Sequence, residues 1–250
     1  LKIKTMKLKL QTWGLLFMLI MASCSSSDDS PAPSNQANIS GSVNLYDEST
    51  TLVDKSNMTV RVLGTTPVIS ALTDADGKFV LTNVPFGTYT LEYEKIGYGT
   101  YQKTGLVHGN NGQATFITAT PSLGRLSTTG ITDLTANTEN NQVIISMTTN
   151  PAGSAANRRY VRFFLSTDST VSNTNYSYYS QVYGAQINPF EKTITQAELV
   201  SAGFTSGQQV YVRAYGESFW DNAYDLADMS RRIFPNLNLN TVPAVSFNVP

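Results

Sequence analysis

The chain has 250 residues, 41% hydrophobic and only 14% charged, with 17 Lys and Arg against 18 Asp and Glu. That length is enough to bury one or two substantial cores. A near-neutral balance with no clustered run of Lys or Arg excludes a nucleic-acid partner, because a phosphate backbone is gripped by concentrated positive charge.

Residues 1–23 read as a lipoprotein signal peptide. Lys2, Lys4, Lys7 and Lys9 form its basic end, and Trp13 to Met21 is an apolar run too short to span a bilayer as a mature helix. Met21-Ala22-Ser23-Cys24 resembles a bacterial lipobox. The resemblance implies that the Cys24 thiol carries diacylglycerol, that the leader is cut before it, and that the new amine is acylated. Several acyl chains on one residue exceed the two signals that stable anchoring needs. Cys24 is the only cysteine, so acylation accounts for an otherwise unpaired thiol in an exported chain, and no disulfide forms within it. Without the four leader lysines, 13 basic residues face 18 acidic ones, a charge of about −5.

Residues 24–37 read as a flexible tether, since Ser25 to Ala37 has no apolar period. Ser27-Asp28-Asp29 resembles the acidic export signal that follows the lipidated cysteine in surface lipoproteins of Bacteroidetes. That resemblance implies an outer-membrane protein, lipid-anchored and displayed at the cell surface; the alternative is an anchor facing the periplasm.

From residue 38 to 121 the pattern is strands and turns. Ile39, Gly41, Val43 and Leu45 alternate on one side, as do Met58, Val60 and Val62. Val68 to Thr73 leads into Asp76-Gly77, a turn in which Gly accepts a positive φ. Phe79 and Leu81 then alternate with polar neighbours, Pro85 and Gly87 mark the next reversal, and Tyr89, Leu91 and Tyr93 share a face. Gln113 to Ala119 is expected to close the layer. The string Thr73 to Tyr98, with Ile39-Ser40-Gly41-Ser42-Val43 before it, resembles the carboxypeptidase regulatory-like family, a small transthyretin-like β-sandwich with no shared chemistry. Asp74-x-Asp76-Gly77 is a turn and not a calcium loop, because the sixth and twelfth positions of such a loop fall on Phe79 and Pro85 in place of Gly and Glu.

Residues 122–129 read as a connection. From residue 130 to 250 the chain resembles a fibronectin type III or immunoglobulin-like sandwich. The predicted strands are Ile131 to Asn137, Gln142 to Thr148, Arg159 to Leu165, Gln209 to Tyr215 and Val242 to Val249. Tyr211-Val212-Arg213-Ala214-Tyr215 resembles the penultimate strand of type III domains. Thr195 and Glu198 stand at capping-box spacing for a short helical turn.

Two aromatic groups mark candidate binding surfaces: Tyr176, Tyr178, Tyr179 and Tyr183, and Phe219, Trp220 and Tyr224. A ring beside amides and carboxylates suits a sugar, whose C–H face stacks while its hydroxyls take directed hydrogen bonds. Asp221 and Asn222 would supply those bonds beside Trp220. The competing reading is that the rings only pack. Asp168-Ser169-Thr170 resembles a short O-glycosylation motif of Bacteroidetes, making Ser169 and Thr170 candidate modification sites. His108, the only histidine, is expected in an exposed turn. There is no H-E-x-x-H, no G-x-S-x-G elbow and no phosphate or dinucleotide loop in the sequence.

The sequence thus predicts an all-β protein of two tandem β-sandwich domains, non-catalytic, with no cofactor and no metal. Its expected role is to present a binding surface for a glycan or an envelope protein. A structural or adhesive, fimbria-like role and an accessory role in an uptake or secretion complex are the alternatives.

Overall fold

A computed structural model describes residues 35–226 and 231–250. The signal peptide, Cys24 and most of the tether lie outside the described residues. The regular structure is almost wholly strand, as the sequence pattern requires.

The first half holds β1 (Gln36–Ser42), β2 (Asn44–Tyr46), β3 (Thr59–Val62), β4 (Ile69–Leu72), β5 (Lys78–Pro85), β6 (Gly87–Glu94), β7 (Tyr101–His108), β8 (Thr115–Phe116) and β9 (Ser122–Gly124). One sheet runs β5-β1-β8, a second β4-β3-β6-β7, and β2 pairs with β9. Period-two alternation sends Ile39, Val60, Phe79, Leu81, Leu91 and Tyr93 into one shared core. At the turn before β5, Gly77 has φ 79, and the Asp74 carboxylate accepts from the Lys78 amide at 2.8 Å. That is the turn expected from the sequence. Among the described residues no cluster of three or more His, Cys, Asp and Glu could hold a metal.

Three features depart from the sequence reading. The Tyr101–His108 strand has no counterpart there, because an edge strand with Gly105 and mostly part-exposed side chains lacks clear alternation. The closing strand is only Thr115–Phe116, with Ile117 turned inward and Phe116 outward. His108 is buried, not an exposed turn residue: its Nδ1 lies 2.7 Å from Thr115 Oγ1 and its Nε2 3.1 Å from the Val84 carbonyl. Both ring nitrogens are therefore occupied in a structural role.

The second half holds β10 (Gly130–Glu139), β11 (Gln142–Asn150), β12 (Arg159–Ser166), β13 (Tyr178–Tyr179), β14 (Tyr183–Ala185), β15 (Phe190–Thr195), α1 (Gln196–Ser201), β16 (Gln209–Glu217), β17 (Tyr224–Leu226), β18 (Arg231–Ile233) and β19 (Val245–Asn248). One sheet runs β10-β11-β15. The other runs β13-β12-β16-β19, with β14 also pairing with β12. Val143, Ile145 and Met147 face Val161, Phe163, Leu165, Val210 and Val212 between the layers. Thr195 caps α1, and Thr195 and Glu198 bond reciprocally as the spacing predicts.

Strand β12 is buried on both faces. Its other face, bearing Arg162 and Phe164, is roofed by chain that follows β16, where Phe234 and Leu237 join Phe164, Val171 and Tyr215 in a third small core. A strand covered on both sides loses the polar half of its alternation, which explains the near-continuous hydrophobic run Tyr-Val-Arg-Phe-Phe-Leu. The described residues form one compact unit.

Candidate functional site

Two arrangements in the second half stand out. The first is a polar clasp. Asn222 sits at φ 52, a left-handed conformation that Asn tolerates, and its side chain is 3% exposed. Its Oδ1 accepts from the Gly124 amide at 2.8 Å, and its Nδ2 donates to the carbonyls of Gly99 and Gly124 and to Asn236 Oδ1 at 3.0–3.1 Å. Asn236 in turn accepts from the Gly99 amide at 2.9 Å and donates to the carbonyls of Gly124 and Trp220. Two side-chain amides from the second half thus satisfy backbone groups of two glycines in the first half. Those glycines are needed for close approach: a Cβ on Gly99 would stand 2.4 Å from the Pro235 carbonyl oxygen, and one on Gly124 the same distance from that of Trp220.

The sequence-flagged residues Phe219, Trp220, Asp221, Asn222 and Tyr224 all belong to this junction. Trp220 packs on Tyr46 with ring centroids 5.0 Å apart, Phe219 meets Tyr160 at 5.7 Å, and Tyr224 meets Tyr101 edge-on at 6.1 Å. Phe219 is the most exposed of the rings, at 42%. Together with Tyr101 and Leu123 the loop borders a groove of about 270 Å³. The Asn222 amide is engaged within the fold, in the clasp around Gly99 and Gly124.

Asp221 is likewise engaged, in a buried ion-pair network. Arg162 on β12 reaches Glu217 Oε2 at 3.2 Å, Asp221 Oδ2 at 2.5 Å and the Ser180 carbonyl. The Phe234 ring lies over the guanidinium, 4.5 Å to its centroid. Glu217 is fully buried, and loss of hydration pushes its carboxyl up to about 8 despite Arg162.

The second arrangement comes from the tyrosine group, which strand parity divides between the two faces of one sheet. Tyr176 and Tyr179 pack against Phe234 at 6.0 and 4.9 Å in the third core. Tyr178 and Tyr183 lie on the opposite side, in a cavity of about 580 Å³ floored by Phe163, Leu165, Ile194 and Leu199. Tyr183 stacks on Phe163 with rings 10° from parallel, and Lys192 Nζ lies 5.7 Å from its centroid. Lys192 and Glu198, 3.9 Å apart, stand at the rim. Two hydrogen bonds from Thr195 hold the Glu198 carboxyl below its ordinary range. This cavity joins an apolar floor, two phenol rings and one cation–carboxylate pair, and its size suits a small ligand.

Ser169 and Thr170 are exposed in the turn after β12. Asp168 accepts from the Thr170 amide and hydroxyl, and Asn175 donates to the same hydroxyl, so Ser169 presents the freer oxygen.

Residues 38–120 match the model of the carboxypeptidase regulatory-like domain family. Among curated proteins, none matches the chain. Among solved structures, a candidate carbohydrate-binding protein from Bacteroides uniformis is similar at 16% identity over 85% of this chain and 99% of its own, with a TM-score of 0.31. A DUF3823 family protein from Bacteroides ovatus is similar at 14% identity over 86% and 100%, with a TM-score of 0.29. A cohesin–X-dockerin complex from Acetivibrio cellulolyticus contains a chain 26% identical over 36% of this one and 58% of its own, with a TM-score of 0.29.

Proposed function

We propose that this chain is a non-catalytic lipoprotein, anchored in the outer membrane through Cys24, which presents a saccharide-binding pocket at the cell surface. The observation that carries the binding reading is the cavity lined by Tyr178 and Tyr183. A pyranose would lay its C–H face on a tyrosine ring, while Lys192 and Glu198 take hydroxyls. The anchoring reading is supported by Met21-Ala22-Ser23-Cys24 and the acidic stretch after it. Ser169, exposed beside Asp168, is the proposed acceptor of an O-linked glycan.

A glycan array probed with the wild-type chain and with Tyr178→Ala tests the binding. The expected result is a restricted set of bound saccharides, lost in the variant. Polymers on native gels would favour an adhesive role, and a stable crosslinked complex would favour an accessory one. Mass spectrometry of the mature amino terminus should find acylated Cys24, and protease shaving of intact cells should remove the protein. Carbohydrate staining lost in Ser169→Ala would place the modification.

A further inference from the structure

A second cavity, of about 250 Å³, opens at the junction of the two halves and differs in chemistry from the tyrosine pocket. Asp47, Glu48, Ser49 and Arg125 border it from one side, and Arg158, Arg159 and Tyr160 from the other. Its two carboxylates are already served by other donors. Asp47 accepts from the amides of Ser49 and Thr51 at 2.7 and 3.2 Å. Glu48 accepts from the amide and hydroxyl of Thr128 at 2.9 and 2.7 Å. The closest approach between an arginine and these acids is Arg159 to Glu48, at 3.9 Å, beyond hydrogen-bonding distance.

The guanidiniums are far less satisfied. Each carries five N–H donors in a planar fork. Arg159 Nε has no hydrogen-bond partner, and beside it the buried Thr129 hydroxyl has none either. Arg158 finds one neutral partner in Gln186, whose amide oxygen accepts from both Nε, at 2.9 Å, and Nη2, leaving Nη1 and the second Nη2 hydrogen for a ligand. Three arginines against two engaged carboxylates leave the cavity with an excess of donors and of positive charge. The opposite holds in the tyrosine pocket, which has one lysine and one glutamate on an apolar floor.

We infer that this junction cavity is a small-oxyanion site, which takes a carboxylate or sulfate group. Arg158 and Arg159 are its principal donors, and the Ser49 and Tyr160 hydroxyls, 2.8 Å apart, orient the bound group from the side. Because the lining comes from both halves, the site exists only while the clasp around Asn222 holds them together.

The test is a calorimetric titration of the protein with galacturonate, galactose and inorganic sulfate. Galacturonate and galactose differ at one carbon, so their comparison isolates the carboxylate. Saturable binding of galacturonate but not galactose is expected. Sulfate binding as well would identify a general oxyanion site, and its absence one that also reads the sugar. Arg159→Gln should weaken galacturonate at least tenfold. Arg158→Gln, on an exposed side chain, should do so too with unchanged circular dichroism and melting. Higher salt should weaken binding further. Failure of galacturonate and sulfate alike to bind, or equal binding by galactose, or unchanged affinity in both variants, would overturn the inference. Tyr178 does not line this cavity, so Tyr178→Ala should leave the titration unchanged, which separates its outcome from that of the saccharide pocket.

Discussion

Asn222 donates its side-chain amide to Asn236 Oδ1 across 3.1 Å, and both residues also bond to the backbone around Gly99 or Gly124. Two loops of the second half thereby hold two glycine turns of the first. Removing Asn222 leaves a buried amide N–H and carbonyls unpaired, each costing about 1–3 kcal/mol. Asn222→Gly keeps the left-handed backbone and deletes only the amide. It should lower unfolding stability by roughly 2–4 kcal/mol in urea. A change within a few tenths would mean that the amides do not hold the halves together.

Gly124→Ala tests the same junction sterically. Its new methyl would fall 2.4 Å from the Trp220 carbonyl oxygen, and backbone cannot yield as a side-chain tip does. The expected loss is about 1–3 kcal/mol, with the tryptophan fluorescence of the folded state altered because Trp220 is displaced from Tyr46.

Glu217 makes stability depend on pH. Its carboxyl titrates at about 8 in the fold, above its ordinary 4.5, because burial outweighs the pull of Arg162 from β12 and the Ser218 amide, with Asp221 adding repulsion. The folded state then holds more protons than the unfolded chain between those two values, so stability declines as pH rises from about 4.5 to about 8. Urea unfolding between pH 5 and pH 9 should show that decline, and Glu217→Gln should flatten it. Arg162→Ala should be the more damaging change, about 3–5 kcal/mol, since it takes the shared donor from Glu217, Asp221 and the Ser180 carbonyl at once.

Thr195→Ala removes the cap of α1, which forms one wall of the tyrosine cavity. The expected cost is about 1 kcal/mol by thermal unfolding, with saccharide affinity reduced because Glu198 is no longer held.

Much of this was legible in the chain itself. The alternations Ile39-Val43-Leu45, Val143-Ile145-Met147 and Val210-Val212-Ala214 point inward, as period two requires, and Thr195 and Glu198 pair as their spacing says. The regular turn at Asp76-Gly77 was equally readable. The clasp was not, because Asn222 lies 98 and 123 residues from the glycines it holds, and nothing local distinguishes such an asparagine from one facing solvent. Tyr176 to Tyr183 stood out as an aromatic group, but which two rings face a cavity depends on the register of β13 and β14 against β12. His108 looked like a turn residue because Gly and Asn follow it; its burial comes from partners on β5 and β8.

The central claim is that this protein binds a saccharide on its tyrosine pair while the tryptophan loop holds the fold together. The direct test is calorimetry with the best-bound oligosaccharide from the array, comparing Tyr183→Ala with Trp220→Ala at matched folded fraction. The account predicts that Tyr183→Ala loses at least tenfold in affinity and that Trp220→Ala, though less stable, keeps it. Affinity lost in Trp220→Ala and kept in Tyr183→Ala would contradict the account.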